Sequence, residues 1–152
     1  MNRFKTLMTI VLLAVMAVAC DKNDMSQPAP VQLEVNAHNI SGKWVLMEWN
    51  GAAMAPGTYV YLDIVRNDRT YTMYQNVDSF NDVPHTVTGS YTIYTDDELG
   101  SLIRGSYDYD GGEWAHRYIV KSLTDRQMMW VAKDDASFTQ LFERVDDIPV
   151  AD

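Results

Sequence analysis

The side chains able to do covalent or acid–base chemistry in this chain are few and scattered. Cys20 is its one thiol, flanked by Ala17-Val18-Ala19 on one side and by Asp21-Lys22-Asn23-Asp24 on the other. The histidines are His38, His85 and His116, and no His-x-x-x-His or Cys/His spacing brings two of them to one metal. Asp96-Asp97 and Asp146-Asp147 would suit acid–base work only if they flanked a cleft, and both fall at expected strand ends. Residues 108–113 (DYDGGE) hint at a calcium loop but lack its third oxygen before the glycine and its distal Glu, so they read as a hairpin turn. Neither a Gly-x-Ser-x-Gly elbow nor a Gly-rich phosphate loop occurs. The expectation is a protein that is not an enzyme and that uses no metal and no cofactor.

The thiol therefore needs a different role. Residues 1–6 carry Arg3 and Lys5, and residues 7–19 form an apolar run of 13 residues broken only by Thr9. A membrane-spanning helix needs about 20 apolar residues. A basic start, a short apolar run and small residues at its end describe an export signal that is cleaved off. Ala17-Val18-Ala19-Cys20 resembles the lipobox of bacterial lipoproteins, with Ala17 where Leu is most common. That resemblance implies diacylglycerol on the Cys20 sulfur and cleavage before it. The protein is then expected in the bacterial cell envelope, anchored through lipid in the outer membrane and facing the periplasm or the cell surface. One acyl chain binds a membrane only marginally and two or more hold it, at about 0.8 kcal/mol per buried CH₂.

Loss of residues 1–19 removes Arg3 and Lys5 and takes the formal charge from −9 to −11. So acidic a chain is a poor partner for nucleic acid or for anionic lipid headgroups. Residues 20–39, the lipidated cysteine and a polar stretch holding Pro28 and Pro30, read as a flexible tether. Residues 40–148 read as one domain and 149–152 as a tail.

Within that domain no helical period is sustained. Eight runs of β-branched and aromatic residues recur instead, at 42–49, 59–65, 70–76, 86–95, 101–109, 114–122, 127–132 and 138–145. Asn67-Asp68 and Asp110-Gly111-Gly112 supply residues that tolerate positive φ between them. Short connections make successive strands antiparallel neighbours. An open sheet of this size would leave two edges to aggregate, and closure removes both. The predicted fold is all-β, an eight-stranded antiparallel up-and-down barrel.

Gly42-Lys43-Trp44, at the start of the first run, resembles the Gly-x-Trp signature of the lipocalins. The resemblance implies that Trp44 closes one end of the barrel and that Arg144, at the end of the last run, packs on its ring. Thr124-Asp125 matches half of a second lipocalin motif. Only 146–152 follow the last run, so the lipocalin C-terminal helix is missing; compact lipocalin-like domains of bacterial lipoproteins are the better likeness.

Alternation places Leu62, Ile64, Met73, Tyr91, Tyr118 and Trp130 on inward faces, and these are the candidate wall of a ligand cavity. Nine Tyr, four Trp and four Phe supply aromatic lining for a small apolar or amphipathic ligand. The alternative is a filled barrel that docks an envelope protein or polysaccharide through outward Trp49, Tyr59, Tyr61 and Tyr109. A solvent-open cavity of roughly 300 Å³ or more separates the two.

Overall fold

The computed structural model describes residues 28–77 and 83–151. The expected leader and residues 20–27 of the expected tether, Cys20 among them, lie outside the described residues. A short helix, α1 (Ala37–Ile40), precedes nine strands: β1 (Gly42–Trp49), β2 (Ala52–Ala53), β3 (Val60–Val65), β4 (Thr70–Gln75), β5 (His85–Asp96), β6 (Gly100–Tyr107), β7 (Tyr118–Leu123), β8 (Gln127–Ala132) and β9 (Thr139–Val145). All pair antiparallel with their neighbours, and β1 also pairs with β9. Eight strands thus form a closed barrel, with β2 a two-residue addition to the end of β1.

Closure turns one face of every strand toward a shared interior, and the alternation in the sequence follows from that. Val60, Leu62 and Ile64 of β3 are buried, with Tyr71 of β4, Tyr91 of β5 and Ile103 of β6 beside them. Gly89 and Gly105 face inward too, and their missing side chains make room for two rings. A Cβ on Gly89 would collide with Tyr71, and one on Gly105 with Trp114.

Two bulges correct the simple alternation. In β1 the register against β9 shifts between Leu46 and Glu48, so Met47 is the extra residue. The inward sequence becomes Trp44, Leu46, Trp49, and Trp49 packs with the core instead of facing out as expected. In β7 the shift lies between Val120 and Ser122, and Leu123 turns inward, fully buried. β7 is also shorter than the run predicted at 114–122. β6 and β7 share only the pairs Leu102–Ile119 and Ile103–Tyr118. Above them residues 112–114 fold back on β6, through Tyr107 N to Gly112 O at 2.7 Å and Trp114 N to Gly105 O at 2.9 Å.

The domain begins earlier than residue 40. Leu33 N donates to Leu123 O at 2.8 Å, and the Gln32 side chain accepts from Ser122 Oγ at 3.1 Å. Asn36 caps α1 by accepting from His38 N and Asn39 N, both at 3.0 Å. Leu33, Val35 and Ile40 pack against the core. The far part of the expected tether is therefore a cover for one end of the barrel, because its alternate apolar residues meet the barrel mouth. At the other terminus, 146–151 contain no helix, and Ile148 is buried.

Candidate functional site

The barrel has two unlike ends. At the first, Trp44 has no exposed surface, and its Nε1 donates to Ile40 O at 2.9 Å. The Arg144 guanidinium lies 4.0 Å from the centre of its ring. Arg144 also donates to three backbone carbonyls: Asp125 O at 2.8 Å, Ser41 O at 2.7 Å and Asn39 O at 2.8 Å. One side chain thus ties α1, β1 and the β7–β8 turn to the last strand. Partial burial draws its pKa down, opposed by the charge of Asp125, and a guanidinium stays protonated at neutral pH. Gly42, at φ 117°, lies against it, and a Cβ there would run into the Arg144 Nη1. Thr124, the other half of the dyad noted in the sequence, shapes the same turn by accepting from Gln127 N at 2.9 Å. Gly42, Trp44 and Arg144 together close this end.

Toward the opposite end, where β1 reaches Trp49 and β3 begins at Val60, the interior is not filled. A cavity of about 360 Å³ opens there. Four of the six candidate wall residues line it: Leu62, Met73, Tyr118 and Trp130. The other two do not. Ile64 pairs with Gly42 at the closed end, and the Tyr91 hydroxyl donates to Val65 O at 3.1 Å beside it. Both are buried in the filled half. Their inward direction follows from alternation, but height along the barrel depends on strand stagger, which alternation does not carry.

The wall also holds residues that the sequence reading missed. Trp49 enters it through the β1 bulge, and Trp114 through the irregular segment before β7. Trp114 Nε1 donates to the Tyr71 hydroxyl at 2.8 Å, which in turn donates to Ser106 O at 3.2 Å. Gly105 on an inward face is the sequence signal for Trp114, since it marks where a ring approaches the strand. Trp130 stands amid rings: Trp114 at 5.8 Å, Tyr118 at 5.3 Å and Phe142 at 4.8 Å between centroids. Trp49 meets Phe138 edge-on at 5.7 Å. At the rim His116 stacks on Phe138 at 4.7 Å, while its Nδ1 lies 2.9 Å from Asp134 Oδ1. That contact holds the Asp134 carboxyl below the usual range. Gln75 and Gln140 add amide groups to the wall. Burial pushes the Tyr118 hydroxyl up to about 12, so it stays a neutral phenol. Among the described residues the wall carries no Asp, Glu, Lys or Arg.

One member of each aspartate pair, and Asp110 of the 108–113 segment, serves a turn or a surface pair. Asp110 accepts from Gly112 N at 2.8 Å, Asp96 from Glu98 N at 3.0 Å, and Asp147 pairs with Lys43 at 3.2 Å. Among the described residues no group of three His, Cys, Asp or Glu side chains is placed to hold a metal.

No family model matches this sequence, and no curated protein matches it. Among solved structures the chain is similar to a lipocalin-like protein from Bacteroides uniformis, with a TM-score of 0.50 and 14% identity over 70% of this chain and 99% of the other. At that identity the likeness is one of fold. The barrel is lipocalin-like.

Proposed function

We propose that this protein is a lipid-anchored binding module of the bacterial envelope, holding a small apolar or amphipathic ligand in the open half of its barrel. The observation that carries the reading is the cavity of about 360 Å³, lined by aromatic side chains, inside a barrel whose other half is packed. Its size lies at the lower end of the range for small-molecule sites, about 300–1,000 Å³. A non-enzymatic role is supported by the cavity wall, which holds no carboxylate among the described residues. The anchor rests on Ala17-Val18-Ala19-Cys20 and the basic, then apolar, residues before it.

The rival reading, a filled barrel docking an envelope partner by outward aromatics, loses Trp49 to the interior. Tyr59 and Tyr61 pack on each other at 5.6 Å and are half-buried, which leaves Tyr109, at 72% exposed and resting on Tyr107 at 5.2 Å, as the one open ring of the four.

Native mass spectrometry compared with the denatured mass tests the binding reading. The expected result is an adduct that denaturation releases. Cys20→Ala should move the protein from the membrane to the soluble fraction; a variant that stays in the membrane would remove the lipid anchor from the proposal.

A further inference from the structure

The two halves of the barrel bury different chemistry. The core away from the cavity holds Ile40, Ile64, Val120, Leu123 and Met128, with Trp44, Tyr71 and Tyr91 as its rings. Three of the four Trp, those at 49, 114 and 130, stand at the cavity with Tyr118, Phe138 and Phe142. Aliphatic side chains would exclude water equally well, so this sorting needs a reason that belongs to rings. A ring face carries partial negative charge and attracts a cation. At the closed end the chain supplies that cation itself, as Arg144 over Trp44. Among the described residues the other such contact is Arg104 over Tyr94, and neither touches the cavity wall.

Charge narrows the ligand further. Among the described residues the wall holds no Lys or Arg, and its one basic side chain, His116, already faces Asp134 at 2.9 Å, so an anion entering a protein of net charge −9 would be buried without a free cation. A cation enters the same wall down the field of an acidic molecule and meets π faces, amide oxygens of Gln75 or Gln140, and the neutral Tyr118 hydroxyl. We infer that the open half of the barrel takes the cationic end of its ligand, a small amine or quaternary ammonium group, against the faces of its aromatic wall. The inference rests on the binding reading above and gives it a ligand class. The cavity volume suits a small organic cation and not the two chains of a phospholipid.

Choline and 3,3-dimethylbutan-1-ol test it, because they share one shape and differ in the charge of a single central atom. Titration of the full chain, followed by calorimetry or ligand-observed NMR, should show choline binding about tenfold more tightly. Trp49→Leu keeps the rim apolar but removes a ring, and Phe138→Leu does the same should the first variant fold poorly. Either should weaken choline severalfold more than it weakens the alcohol. Equal or tighter binding of the alcohol overturns the inference but leaves a container for neutral ligands. A preference that neither variant alters also overturns it, because the wall is then not its source. If neither probe binds while native mass spectrometry finds a released adduct, the cation inference fails and the binding reading stands. If neither probe binds and the full chain carries no adduct, both fail.

Discussion

The two ends of this barrel use aromatic residues for opposite purposes. Trp44 is enclosed, hydrogen-bonded through its Nε1 and covered by Arg144, so its whole surface is spent on holding strands together. Trp49, on the same strand, is half-buried and faces a cavity. The two side chains are identical and separated by one bulge. What differs is whether the chain brings partners for every face. A lipocalin-like barrel can therefore be stable without being full, because one end carries the packing while the other keeps space.

Substitutions can break or sharpen that contrast. The largest effect is expected from Trp44→Ala, which empties a fully enclosed site and leaves the Arg144 guanidinium without its ring. Loss of about 4 kcal/mol is expected in urea unfolding, against about 1.5 kcal/mol for Trp49→Ala at the half-buried rim. Equal losses would show that the open end also bears the fold. Next, Gly105→Val places a side chain where the Trp114 ring lies. It should cost about 2–3 kcal/mol and break the Trp114–Tyr71 hydrogen bond, visible as a shift of the Trp114 indole N–H in NMR.

Leu62→Trp sharpens the comparison from inside the cavity. The added ring has free space beside it, so stability should fall by only about 1 kcal/mol, while the adduct seen by native mass spectrometry disappears. Retention of the adduct would move the ligand out of the barrel. A last effect is one of pH, confined to alkaline solution. Burial holds the Tyr118 and Tyr71 hydroxyls protonated in the folded chain, raising each from 10.0 to about 12. Their contribution to stability is whole below pH 10.0 and is lost as pH rises toward about 12. Tyr118→Phe should make stability fall less steeply across that window, as followed by thermal unfolding at successive pH values.

Particular residues show how much of this was legible beforehand. Val60, Leu62 and Ile64 are inward because period-two alternation admits one solution once one face is apolar, and the structure buries all three. Trp49 was assigned outward because a bulge leaves no compositional mark: Met47 is an ordinary strand residue, and only pairing with β9 makes it the extra one. Ile64 and Tyr91 were assigned to the cavity because they point inward, yet they lie near its closed end. The cover formed by residues 33–40 was hidden in a polar, proline-containing stretch, and its worth depends on Ile40 reaching Trp44.

Local chemistry by itself determined the strand rhythm, the antiparallel order and the Gly42–Trp44 signature, since each depends on neighbours a few residues apart. Tertiary structure decided where the barrel is full and where it is empty. That outcome depends on stagger between strands, on two bulges and on a ring inserted from an irregular segment against Gly105. Each is set by contacts between residues distant in sequence, where the spacing along a single strand carries no information.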